Sequence, residues 1–175
     1  LDRRLAEELK GTLTRFKNLS VVLDDALRLD WADFISSAKR NLKPAPDDNE
    51  ATRVRVVANL PYYISTAIIE KLLAQRGLIF DMTLMLQKEV VERITSGPGS
   101  RDYGYLSVVV QYYCEASKLF LVPPAAFKPA PRVHSAVVRL TLRKRPAVDV
   151  CDEARFFAVV RACFAQRRKT ILNNL

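Results

Sequence analysis

Four consecutive residues, Asn59-Leu60-Pro61-Tyr62, combine a side-chain amide, a conformational lock and an aromatic ring. Pro61 has a fixed φ and no N–H, and it biases Leu60 toward an extended backbone. The carbonyls near Asn59 and Leu60 are therefore kept out of a helix and can face a cleft. Asn59 adds an amide oxygen as acceptor, and Tyr62 adds a flat surface for stacking. Two acceptors beside a ring suit a planar group with an exocyclic amine, such as adenine. The lone pair of that nitrogen is delocalised into the ring, which makes it a poor nucleophile. Acceptors on its N–H groups favour a more tetrahedral nitrogen and stabilise positive charge as it attacks an electrophile. A strand end with a proline turn and a core tyrosine has the same local sequence, so the tetrapeptide alone leaves both readings open.

The elements on either side place these groups. Val54 to Ala58 is a short, largely β-branched run that reads as a buried strand. Ile64 to Leu73 has helical periodicity. The tetrapeptide thus falls at the carboxyl end of a strand, where open α/β sheets bind ligands. Leu19 to Leu23 reads as an earlier strand, ending at Asp24-Asp25-Ala26-Leu27. An acidic pair there is either a turn and helix-start signal or a carboxylate that accepts from a ligand's amino group.

The remaining pattern predicts helices from the first residues, with Leu5, Leu9, Leu13 and Phe16 on one face, over Trp31–Leu42, over Gln87–Ile94 and over Tyr105–Tyr113. Glu89 and Arg93 have favourable i,i+4 spacing. Residues 41–52 contain a polar, proline-bearing surface insertion. Leu78–Leu86 reads as a strand, and Ala116–Val122 with Val133–Leu142 as an antiparallel pair. Strand and helix alternate before a hairpin-like end, which predicts α/β architecture with a mainly parallel sheet. After Arg145 the texture changes: Asp152 opens a helix with Phe156, Phe157, Val160 and Phe164 as its apolar stripe. The expected division is an α/β domain over 1–145 and the start of a helical domain over 146–175.

A net charge of +9 and a pI near 9.7 point to a polyanionic partner. The excess is mostly C-terminal, since residues 139–175 carry nine Lys and Arg against three Asp and Glu. Three cysteines without a C-x-x-C pair suit a reduced, cytoplasmic protein better than a disulfide scaffold or a zinc site. No apolar run reaches membrane-spanning length.

In order and spacing, Asp25-Ala26-Leu27, Asn59-Leu60-Pro61-Tyr62, Gln87-Lys88-Glu89-Val90, Tyr103-Gly104-Tyr105-Leu106-Ser107, Phe127-x-Pro129-x-Pro131-x-Val133-x-Ser135 and Arg167-Arg168-Lys169-Thr170 resemble the KsgA-type ribosomal RNA adenine dimethyltransferases, over nearly the whole chain. Asn-Leu-Pro-Tyr is shared with the erythromycin-resistance methyltransferases of the large subunit. The Gln-Lys-Glu-Val run, Phe-x-Pro-x-Pro and Arg-Arg-Lys favour the small-subunit enzymes. The resemblance implies a Rossmann-like class I methyltransferase fold, S-adenosyl-L-methionine as cofactor, no metal, a monomer, and small-subunit ribosomal RNA as partner. It implies that Asn59 and the Leu60 carbonyl bind the target N6, with Pro61 shaping the turn, Tyr62 stacking on the base and Phe127 forming a second wall. Asp25 and Ala26, with Asn59, would hold the cofactor. Lys128, Arg132, Arg143, Lys144, Arg145, Arg167, Arg168 and Lys169 would contact RNA phosphates. The base would have to leave its stack to enter such a pocket.

The family's Gly-rich cofactor loop and its acidic ribose-binding residue have no counterpart here. Asp24 stands where the family usually has Gly, and the family's C-terminal helices continue past Leu175. The resemblance therefore implies a fragment of a longer enzyme. A non-catalytic, ribosome-binding assembly factor of the same fold is the reading from a different class.

Overall fold

Residues Ile79–Gln87, designated β2, alternate less than a half-buried strand should: Ile79, Met82, Leu84 and Leu86 are fully buried, and Asp81 is nearly so. Such a run belongs in the middle of a sheet covered on both faces. The computed structural model, which describes residues 3–40 and 53–166, places it there. The sheet order is β1-β2-β4-β3, with β1 Val54–Asn59, β3 Cys114–Val122 and β4 Ser135–Leu142. Strand β1 runs parallel to β2, with Asn59 opposite Met85. Strand β4 is antiparallel to both β2 and β3. Among the described residues the sheet is therefore not mainly parallel: one ladder of three is. The Ala116–Val122 and Val133–Leu142 strands do pair antiparallel as the sequence predicts, but β4 also inserts beside β2.

The helices are α1 Arg3–Leu13, α2 Trp31–Arg40, α3 Ser65–Ala74, α4 Lys88–Thr95, α5 Tyr105–Tyr113 and α6 Glu153–Cys163. Each of the middle three buries a stripe at helical spacing: Ile68, Ile69, Leu72 and Leu73 from α3, Val90, Val91 and Ile94 from α4, and Leu106, Val109 and Val110 from α5. Each fully buried Leu or Ile contributes about 1.5–3 kcal/mol relative to exposure. The C-terminal carbonyls of α4, which a helix leaves without internal partners, receive side chains from α5. Ser107 Oγ donates to the Arg93 carbonyl at 2.6 Å, and Gln111 Nε2 donates to those of Ile94 and Ser96 at 2.8 Å. On the outer face of α4 the ion pair formed is Lys88–Glu92, at 3.4 Å.

Two expectations fail in the N-terminal part. Leu19–Leu23 forms no strand; it runs without a ladder partner, and Leu19, Val22 and Leu23 are exposed. The apolar, β-branched residues are present, but strand structure requires a paired backbone. Helix α1 forms where expected, yet its Leu5 and Leu9 and the following Phe16 are exposed. Gly77 lies within a 3₁₀ turn over Arg76–Leu78, after α3 has already ended. The 41–52 insertion lies outside the described residues.

Strand β3 is an edge of the sheet among the described residues, and its pairing with β4 shifts register between Lys118 and Phe120. Leu119, the residue skipped, is exposed, as are Phe120 and Leu121. At the far side of α5, helix α6 begins at an Asp152 cap that accepts from the Arg155 N–H at 2.9 Å. Phe156 and Phe157 of α6 meet Tyr112 and Tyr113 of α5, with centroids 5.2–5.7 Å apart. No described helix is long and apolar enough to cross a membrane.

Candidate active site

The carboxyl ends of β1 and β2, the end of β3 and the start of β4 share one end of the sheet, because Gln87 and Val122 both register with Ser135. Asn59-Leu60-Pro61-Tyr62 leaves β1 at that end. The Leu60 N–H donates to the Met85 carbonyl at 3.2 Å, one step beyond the ladder, and the Leu60 side chain is buried. Pro61 is extended at φ −60° and ψ 130°, so helix formation is delayed to the short 3₁₀ turn Tyr62–Ile64 that leads into α3.

Among the described residues, nothing uses these acceptors. The Asn59 side chain is exposed and, like the Leu60 carbonyl, makes no hydrogen bond to any described residue. Tyr62, by contrast, is held. Its hydroxyl lies 2.6 Å from Ser135 Oγ, and its carbonyl accepts from Ser65 Oγ at 3.1 Å. The neighbouring Tyr63 is 88% exposed. Phe127 sits half-buried in the 123–134 connection between β3 and β4, just after a 3₁₀ turn over Pro124–Ala126. The connection is tied down where the Lys88 N–H donates to the His134 carbonyl at 2.9 Å. The structure thus brings Asn59, Leu60, Pro61, Tyr62 and the Phe127 connection to the same end of the sheet, with exposed Lys128 and Arg132 in that connection.

Asp25 forms a local turn. Its Oδ1 accepts from the Leu27 N–H at 2.9 Å, and its carbonyl accepts from the N–H groups of Arg28 and Leu29. The Ala26 carbonyl accepts from Trp31 Nε1 at 2.9 Å, and Ala26, Leu27 and Trp31 rest on the main core. The other carboxylate oxygen of Asp25 lies 3.8 Å from exposed Arg28 and keeps acceptor capacity. This acceptor fits a ligand's amino group, with the turn supplying a fixed position for it.

Arg143, Lys144 and Arg145 are elsewhere. They follow β4 at the opposite end of the sheet, where Arg143 and Lys144 line a cavity of about 510 Å³ with Arg53 and Arg76. Charges there are partly matched: Arg143 pairs with Glu115 at 3.0 Å, and Arg76 with Glu153 at 3.4 Å. Arg76 also lies 4.5 Å from the Tyr113 ring centre. Burial is the main cause that pushes the Tyr113 phenol and the Cys114 thiol up to about 12 each, with a Glu153 hydrogen bond adding to Tyr113. Arg167, Arg168 and Lys169 lie outside the described residues. No metal-ligating cluster occurs among the described residues. Ser135 makes a site contact that the sequence alone does not assign; its one signal is a hydroxyl closing the Phe-x-Pro-x-Pro-x-Val-x-Ser pattern at a strand start.

The mixed α/β sheet, with acceptors and rings at the carboxyl end of β1, fits the Rossmann-like methyltransferase class. Structures similar to this chain agree with that class. A dimethyladenosine transferase from Plasmodium falciparum matches with TM-score 0.70 and 28% identity, over 99% of this chain and 56% of its own. The 23S rRNA methyltransferase ErmE matches with TM-score 0.69 and 26% identity, over 99% of this chain and 62% of its own. The chain belongs to the ribosomal RNA adenine dimethylase family, whose model matches residues 1–175. Relatives called ribosomal RNA small subunit methyltransferase A, from Geobacillus sp. (strain WCH70) and Anoxybacillus flavithermus (strain DSM 21510 / WK1), are 49% and 48% identical to it. Both matches cover the whole chain but 57% and 56% of the relatives, so the chain spans somewhat over half their length.

Proposed function

We propose that this chain is part of an enzyme that dimethylates N6 of two adjacent adenines near the 3′ end of small-subunit ribosomal RNA during ribosome assembly. The observation that carries the reading is the pair of unused acceptors, Asn59 amide and Leu60 carbonyl, beside a tethered Tyr62 at the carboxyl end of β1. An adenine amine placed there donates to both acceptors while its ring lies on Tyr62, with Phe127 as the facing wall. The acceptors favour the tetrahedral, cationic nitrogen that forms during attack. S-adenosyl-L-methionine supplies an electrophilic methyl group when bound. Asp25, with Ala26 beside it, holds the amino group of the cofactor's adenine. Asn59 and the Leu60 carbonyl would hold N6 toward that methyl group, and the proton that N6 gives up after each transfer would leave to solvent. No side chain becomes covalently modified.

In this reading residues 1–145 are part of the methyltransferase domain, and 146–175 begin a helical RNA-binding domain. The protein acts as a cytoplasmic monomer. Lys128 and Arg132 hold phosphates beside the pocket, and Arg143, Lys144, Arg145, Arg167, Arg168 and Lys169 extend the contact.

The test is transfer of labelled methyl groups to immature small subunits, with the modified nucleotides mapped. Dimethylation of two adjacent adenines near the 3′ end is expected. Modification confined to large-subunit RNA would move the assignment to the reading that the ErmE likeness favours. RNA binding that survives with no transfer, and that is unchanged by Asn59→Ala, would leave a non-catalytic assembly factor.

A further inference from the structure

We infer that Ser135 is a positioning residue for the adenine pocket, acting through the Tyr62 hydroxyl. The inference rests on the reading of Asn59–Tyr62 as that pocket. Ser135 is fully buried, and its Oγ is 2.6 Å from the Tyr62 hydroxyl, a short O–H···O bond. It is also the point at this end of the sheet with paired strands on both sides, since it registers with Gln87 of β2 and Val122 of β3. The tether is therefore fixed to backbone paired on both sides.

A tyrosine ring attached only at its Cβ keeps two soft torsions. Holding the para oxygen removes both, and the Ser65 bond to the Tyr62 carbonyl fixes the other end of the residue. Ser135 also ends the connection that carries Phe127, whose other end is Val122. One residue thus references both proposed aromatic walls: Tyr62 through its hydroxyl and Phe127 through the backbone. The bond defines the plane in which the base lies, and so the direction from which N6 meets the methyl group. Misplacement by about 1 Å can cost on the order of 100-fold in rate.

The experiment compares wild type, Ser135→Ala, Tyr62→Phe and the double variant in methyl transfer to immature small subunits. An RNA with the fluorescent base 8-vinyladenine at the target position, which keeps the N6 amine, gives a second readout, because stacking on Tyr62 quenches its fluorescence. Ser135→Ala is expected to lower kcat at least tenfold with KM nearly unchanged, and to weaken quenching at equal RNA affinity. Tyr62→Phe should behave alike, and the double variant should be no worse than either. Wild-type kcat and quenching in Ser135→Ala, with transfer abolished in Asn59→Ala, would overturn the role of Ser135 and leave the pocket standing. Additive losses in the double variant would also overturn it, since Ser135 would then act apart from Tyr62. If wild type neither transfers methyl nor quenches the probe, the pocket reading falls and takes this inference with it.

Discussion

The two ends of the sheet use similar residue types in opposite ways. At the carboxyl end of β1, the Asn59 amide and the Leu60 carbonyl have no partner among the described residues, and Phe127 stacks on no other described ring. At the opposite end the tyrosines and phenylalanines pack on one another, and the arginines meet Glu115, Glu153 and the Tyr113 ring. Aromatic and polar groups already matched within the chain contribute to folding. Groups that the fold holds in place but leaves unmatched are available for a ligand. Composition therefore does not locate a site; residual bonding capacity does.

The largest test of this contrast is Asn59→Ala. Methyl transfer should fall by about 10²–10³-fold, the scale for losing one pre-placed group that stabilises transition-state charge. The thermal midpoint should stay within about 1 °C, because an exposed, unbonded side chain contributes little to folding. A large loss of stability would mean that Asn59 belongs to the scaffold. Tyr112→Ala should do the reverse. Tyr112 is 4% exposed and touches three rings, so its removal should cost about 3 kcal/mol in a urea titration. An unchanged midpoint would sink the claim that this end is structural.

A smaller effect should separate the charges. Replacing both Lys128 and Arg132 with Ala should weaken RNA binding several-fold. It should also flatten the salt dependence, by roughly 0.7–0.9 in slope for each phosphate no longer neutralised. Replacing Lys144 and Arg145 should do less. Equal losses at both ends would extend the RNA surface across the whole sheet edge. The mildest prediction concerns pH. Tyr113 and Cys114 are both held neutral by burial up to about 12, from ordinary values of 10.0 and 9.0. Above pH 9 the unfolded chain loses these protons first, so their contribution is whole below pH 9 and is lost as pH rises toward 12. A melting temperature that stays flat over pH 9–11 would contradict this.

Much of the site was legible because it is local. A β-branched run, a proline turn and a helical period place Asn59 and Tyr62 at a strand end without any knowledge of neighbours. The hairpin of β3 and β4 was readable for the same reason. What failed depends on distant partners. Leu19–Leu23 has a strand's residues but no ladder, and the insertion of Ser135–Leu142 beside β2 makes two ladders antiparallel. Alternation specifies faces, not neighbours. The Tyr62–Ser135 bond joins residues 73 apart in sequence, so no window could contain it. For α4, spacing marked Glu89 and Arg93, whereas the pair formed is Lys88–Glu92.

The shift of register in β3 bears on how the protein behaves in concentrated solution. An edge carrying exposed Leu119, Phe120 and Leu121 is a template on which another chain can add a strand. The extra residue between Lys118 and Phe120 breaks the even spacing of outward N–H and C=O groups and increases the local twist. A second β3 would meet this edge, open among the described residues, out of step beyond Lys118. Deleting Leu119 to straighten the strand is expected to raise aggregation, read by light scattering in concentrated solution.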